Sequence, residues 1–134
     1  MSYNRDNNSK IEILQHNTGR AIPIMHTTLE IAFEANIDFV LLQEPYIAED
    51  NRGTVSHPAY TTILPTIKDT RPRVAIYARK DTIYSYTARP DIIDDPDILV
   101  LTISGKDLAP IQLYNIYNEE GLGENKDYTV KRSL

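Results

Sequence analysis

Three side chains have the types and the placing to do chemistry together. Asn17 closes "KIEILQHN", Glu44 closes "DFVLLQE" and Tyr117 closes "IQLYNIY". Asn17 and Glu44 follow runs that read as strands and Tyr117 closes one, and mixed α/β sheets build their sites at or just past the carboxyl ends of strands. An amide oxygen and a carboxylate converging from neighbouring parallel strands make a hard-oxygen donor set. Such a set suits Mg²⁺ or Mn²⁺ rather than a soft metal. A tyrosine hydroxyl beside them can donate to a phosphate oxygen. The chemistry indicated is metal-assisted attack on a phosphodiester. Plainer readings stand beside this one. An Asn in a strand–helix loop makes turns, a Glu before a proline ends a strand, and a half-buried strand tyrosine packs.

The elements that must position these residues come next. Residues 10–15 alternate polar and apolar and read as a first strand. "HNTGRAI" is a loop, with Gly19 available for an unusual backbone angle. Pro23 suits the first turn of a helix. Met25, Leu29, Ala32 and Phe33 follow at helical spacing, and Asn36 is a left-handed stop. The apolar run Phe39 to Leu42 is then a second, buried strand. Strand, helix and strand make a βαβ unit, with parallel strands and a right-handed crossover. Beyond it, "YTTIL", "RVAIYAR", "IYSYTAR", "ILVLTIS" and "IQLYNIY" are short β-rich runs between turn clusters. They predict mostly antiparallel strands, so the class is α/β with a mixed layered sheet. The tail "DYTVKRSL" reads as a helix opening, with Asp127 or Thr129 as N-cap, and residues 1–9 read as disordered.

Composition narrows the class. The chain has 134 residues, 41% hydrophobic and 25% charged, enough for one domain with a real core. No apolar run approaches the ~20 residues that span a bilayer, and the polar start lacks a signal core. The expectation is an intracellular protein without a membrane partner. Cysteine is absent, which excludes disulfides and thiolate metal sites. His16, His26 and His57 show neither nucleophile nor zinc spacing. A net charge of −5 argues against a nonspecific coat on nucleic acid. The charge is uneven, however. "KDTRPRVAIYARK" holds Lys68, Arg71, Arg73, Arg79 and Lys80 against the single acid Asp69. Arg73 and Arg79 are therefore candidate substrate-binding residues for a phosphate ligand. A solvated hairpin with outward charges is the alternative.

The order "ILQHNTGR … DFVLLQEPYI … RPRVAIYARK … IQLYNIYN" resembles the opening of the endonuclease–exonuclease–phosphatase family. The match is closest to the apurinic-endonuclease-like domain of non-LTR retrotransposons, notably fungal ones with a downstream reverse transcriptase. It runs from Lys10 to the end of the chain. The resemblance implies a DNase I-like, four-layer α/β sandwich, of which this chain is the N-terminal portion. It implies Mg²⁺-dependent phosphoester hydrolysis with DNA as partner, and a nuclear location for a retrotransposon protein. By the same resemblance Asn17 helps arrange metal and phosphate, Glu44 ligates the metal, and Tyr117 contacts the scissile phosphate. Gln43 is a neighbour in the site rather than a ligand.

The sequence also departs from the family. "YNEEG" replaces the usual Pro-Asn after the tyrosine, and the family's later Asp-x-Asn and Asp-His pairs are not found past Tyr117. Little or no activity is therefore expected of the chain alone, because such groups act as a coupled unit. An uncovered apolar sheet face is expected as well, where half of the facing sheet would be missing. Two other readings stay open. One is a non-catalytic half-domain that associates with a second copy or a complementary fragment. The other is a phosphatase of the same superfamily.

Overall fold

The computed structural model describes residues 10–50, 53–67, 69–118 and 130–133. Residues 1–9, expected to be disordered, lie outside these. The predicted βαβ unit opens the fold. Strand β1 (Ile13–Asn17) leads to helix α1 (Ile22–Glu34), which leads to β2 (Phe39–Gln43). β1 and β2 are parallel, with Ile13 paired to Phe39 and Asn17 to Gln43. The first strand starts three residues later than residues 10–15 suggest. Before it, the Glu12 N–H is taken by the buried Asp38 carboxylate at 2.9 Å. Met25, Thr28, Leu29 and Ala32 form the buried stripe of α1. Phe33 lies off that stripe; its ring meets His57 and the Arg79 guanidinium instead. The left-handed stop is at Asn36, with φ 59°.

The β-rich runs divide between two sheets. β3 (Tyr60–Ile63) and β4 (Val74–Arg79) join the first, in the order β1-β2-β4-β3. β4 runs antiparallel to β2 and pairs Val74 with Gln43 and Ala78 with Phe39. β5 (Ser85–Ala88), β6 (Ile98–Gly105), β7 (Leu108–Ile116) and β8 (Val130–Ser133) form the second sheet in chain order, all antiparallel. The tail that reads as a helix opening is thus a strand over Val130–Ser133. The open edge of β7 offers backbone partners there, and tertiary pairing overrides a two-turn helical preference. Asp127 and Thr129, the expected caps, lie outside the described residues.

Period-two alternation sets the layers. Phe39, Leu41, Val74, Ile76 and Ala78 point from the first sheet into a core shared with Leu99, Leu101, Ile103, Ile111 and Leu113 of the second. Val40, Leu42, Ala75 and Tyr77 point the other way, onto Met25, Leu29 and Ala32 of α1. β2 is therefore buried on both faces, which is why it reads as a continuous apolar run. The described residues form three layers: helix, sheet, sheet. The apolar inner face of the first sheet, expected to lie uncovered, is closed by the second sheet. Among the described residues, no helix is long and apolar enough to cross a membrane.

One core tyrosine gives the fold a pH signature. Tyr77 is fully buried, and its hydroxyl donates to the Val55 carbonyl. Burial pushes the phenol from its ordinary 10.0 up to about 12. The folded state then keeps a proton that the unfolded chain releases, so stability falls as pH rises from 10.0 towards about 12. Urea midpoints taken at about pH 9 and about pH 11 should differ clearly in the wild type. The difference should shrink in Tyr77→Phe, because phenylalanine has no proton to lose.

Candidate functional site

Three chain segments meet at the end of β2. The Gln43 side chain is buried, and the next residue, Glu44, turns out of the sheet with φ 52°. Positive φ is unusual for a residue other than glycine, and here a buried proline follows directly. The main chain of Glu44 is pinned on both sides. Its N–H donates to the Arg73 carbonyl at 3.0 Å, and its carbonyl accepts from the Arg20 N–H at 2.7 Å. The buried Thr18 hydroxyl adds a second bond to that carbonyl at 2.8 Å. Gly19 and Arg20 also have positive φ, 56° and 61°. The β1–α1 loop is thus coiled tightly against the strand end and holds Glu44 where local preference would not.

The second sheet supplies the partner. Along β7 the inward positions are Ile111, Leu113 and Asn115, and Tyr117 continues that alternation just past the strand. The Tyr117 hydroxyl donates to Glu44 Oε2 at 2.8 Å and so joins the two sheets at the site. The Arg73 guanidinium lies 5.1 Å from the Tyr117 ring centre. Its Nε and Nη2 fork onto the Asp97 carboxylate at 2.8 and 3.1 Å, a geometry that fixes the guanidinium plane. Asp97 is in turn held by the chain, since its carbonyl accepts the Tyr117 N–H at 2.8 Å.

Behind this pair lies a buried amide network. Asn115 and Gln43 are essentially without solvent exposure. Asn115 Nδ2 donates to the carbonyls of Leu42, 3.1 Å, and Ala75, 2.9 Å. Those two residues are paired across β2 and β4. Asn115 Oδ1 accepts from Gln43 Nε2. Each amide precedes a candidate site residue, Gln43 by one position and Asn115 by two.

A cleft of about 430 Å³ opens over Glu44 and Tyr117, lined also by Arg20, Pro45, Thr70, Arg71, Pro72 and Arg73. Among the described residues it holds three arginines against one carboxylate. Asn17 comes to the same strand end, paired with Gln43 in the ladder. It is exposed, and its Oδ1 accepts the Gly19 N–H at 3.0 Å, closing the loop. Arg73 lines the cleft, but Arg79 does not. Arg79 sits at the opposite end of β4, paired with Asp81 at 2.7 Å and bonded to the Phe33 carbonyl at 3.0 Å. Five further participants escape a reading of the sequence: Thr18, Arg20, Asp97, Asn115 and the buried role of Gln43. A signal existed for Asn115, the one amide in an otherwise apolar inward row.

Among the described residues no group of three or more His, Asp or Glu could hold a metal ion by itself. The donors present are the Glu44 carboxylate and the Asn17 amide oxygen. Oxygen donors of these two types are ones a hard cation such as Mg²⁺ accepts, but only Glu44 lines the cleft; Asn17 is not among its lining residues.

The backbone is similar to a solved one. It superposes on the endonuclease domain of TRAS1, a telomere-specific non-LTR retrotransposon. The TM-score is 0.62 at 20% identity, over 82% of this chain and 45% of that one. The fold is therefore endonuclease-like, of the α/β DNase I-like kind, and the chain spans less than half the length of that structure. No protein-family description and no curated protein matches the sequence.

Proposed function

We propose that residues 10–134 form the N-terminal part of a Mg²⁺-dependent phosphodiesterase, a DNA endonuclease domain of the non-LTR retrotransposon kind. The fungal apurinic-endonuclease-like domains, with a nuclear role beside a reverse transcriptase, are the form its motifs resemble. The whole domain would be a four-layer sandwich. The observation that carries this reading is the Glu44–Tyr117 hydrogen bond, which brings both sheets to one point under an arginine-lined cleft. The backbone similarity to a retrotransposon endonuclease domain supports it.

In this reading Glu44 and Asn17 would hold Mg²⁺ or Mn²⁺, which would supply charge neutralisation at a phosphate oxygen. The Tyr117 hydroxyl, which here donates to Glu44 Oε2, would turn its single proton to a non-bridging phosphate oxygen when substrate is bound, and the Arg73–Asp97 pair keeps the ring in place. Among the described residues that line the cleft there is no histidine or aspartate to orient an attacking water. His57, the last histidine in the sequence, bonds Glu30 of α1 at 3.1 Å on the helix side of the first sheet.

Two measurements test the proposal on the 134-residue chain. Mn²⁺ should broaden the NMR signals of Asn17, Glu44 and Tyr117 selectively, and Glu44→Gln should abolish the effect. Broadening that ignores these residues would remove the metal site. Nicking of supercoiled plasmid in Mg²⁺ should stay at background. Vigorous nicking lost in Glu44→Ala would keep the endonuclease assignment and overturn the expected inactivity.

A further inference from the structure

Two sheets packed face to face share no backbone ladder, so the main chain does not set how one lies along the other. The apolar side chains of the shared core do not set it either. Leu99, Leu101, Ile111 and Leu113 share that core with Leu41 and Ile76, and burial of this kind has no direction. A slide of two residues along a strand keeps the same face inward and displaces each side chain by roughly 7 Å.

Asn115 of β7 crosses between the sheets. Its Nδ2 donates to Leu42 on β2 and to Ala75 on β4, and its Oδ1 accepts from Gln43. Leu42 and Ala75 are partners in the ladder of the first sheet. Two residues along each of these three strands lies the site. Leu42 leads on to Glu44, Asn115 leads on to Tyr117, and the antiparallel β4 runs back from Ala75 to Arg73. Those three residues meet again. The Tyr117 hydroxyl bonds Glu44 at 2.8 Å, the Arg73 guanidinium lies 5.1 Å from the Tyr117 ring centre, and the Arg73 carbonyl accepts the Glu44 N–H at 3.0 Å. One equal offset on three strands carries the contact at Asn115 into the contact at Tyr117. A register error at the first is passed undiminished to the second.

We infer that Asn115, with Gln43, is a positioning residue of the site: it fixes the register of the second sheet on the first and so delivers the Tyr117 hydroxyl to Glu44. The inference rests on the proposed function in taking Glu44 and Tyr117 as the site. An amide suits the task because its bonds are directional. In a displaced register the same side chain would lie buried with its donors and acceptor unpaired, which is costly. Leucine of similar size would be buried equally well in either register. A buried Asn fixes the register of coiled-coil helices by the same physics.

The test reads the place of Tyr117 and needs no metal. The chain is labelled with ¹³Cζ-tyrosine, and the Tyr117 signal is assigned by its loss in Tyr117→Phe. That carbon senses the hydrogen bond of its hydroxyl, so Glu44→Ala should shift the signal in the otherwise wild-type protein. Gln43→Met with Asn115→Leu makes both partners apolar at nearly constant volume, which keeps most of the stability. In that background Glu44→Ala should no longer shift the Tyr117 signal. Asn115→Ala should show the same loss, and it carries the test if the double variant fails to fold. Leu113→Ala removes an inward core side chain two positions earlier on β7. It should lower the urea midpoint about as much as Asn115→Ala, yet leave the response of Tyr117 to Glu44→Ala intact.

A Tyr117 signal that still responds to Glu44→Ala in the Asn115 variants would overturn the inference, because the sheets would then keep register without the amide. So would an equal loss of response in Leu113→Ala, since the network would then be one more piece of core. Mn²⁺ broadening should persist at Glu44 in the Asn115 variants and fade at Tyr117. Absence of broadening in the wild type removes the metal site of the proposed function and leaves the metal-free reading of Tyr117 unaffected.

Discussion

Replacing Asn115 by alanine is expected to destabilise the protein by about 3 kcal/mol, among the largest losses any single polar residue here can cause. The amide is fully buried and makes three bonds at once. Two of them reach backbone carbonyls of Leu42 and Ala75, in the opposite sheet. Removing the side chain strands a buried Gln43 donor, takes a bond from each carbonyl, and leaves a void the sheets cannot close. Each unsatisfied buried group costs about 1–3 kcal/mol, and part of that is recovered if a water enters. Asn115→Asp should be at least as damaging, because it sets an acceptor against two carbonyls. A urea titration reads the result: a lower midpoint at unchanged slope. With Gln43→Ala the effects should fall well short of additive, since both changes break one network. A cost below about 1 kcal/mol for Asn115→Ala would mean that apolar burial alone holds the sheets in register.

That network shows where a sequence stops informing. The βαβ opening was legible because its signals are local: helical spacing through Met25 and Leu29, a left-handed Asn36, and an apolar run from Phe39. The strands of the second half were legible for the same reason. Their division between two sheets was not, because alternation along a strand does not say which edge it will join. β3 and β4 extend the first sheet while β5 begins the second, yet the runs look alike. The basic stripe misled for a geometric reason. Arg73 and Arg79 are close in sequence but lie near the two ends of an extended strand, ~20 Å apart at ~3.3 Å per residue. One borders the cleft and the other packs on Phe33. Conversely Arg20 and Arg71, far apart in sequence, line one cleft. Charges near in sequence gather in space on a turn or on one helix face, and a strand separates them.

The second large effect is expected at Glu44, where stability and binding should part company. Glu44→Gly should leave folding stability within about 1 kcal/mol of wild type while abolishing Mn²⁺ broadening at the site. A non-glycine residue at positive φ costs about 1–2 kcal/mol, and glycine removes that strain. Against this stand the greater entropy glycine loses on folding, about 0.5–1 kcal/mol, and the lost bond from Tyr117, about 1 kcal/mol. The opposing contributions nearly cancel. Glu44→Val keeps the strain and adds a branched Cβ, so it should cost about 2–3 kcal/mol. The pair of variants separates backbone from side chain. If glycine destabilises as much as valine, the backbone at Glu44 is relaxed and the Thr18, Arg20 and Arg73 bonds hold nothing unusual. If glycine is tolerated and metal binding is lost, the fold is maintaining a strained residue for its carboxylate. Strain at one ligand, secured by three backbone bonds, is what a binding site needs and a strand end does not.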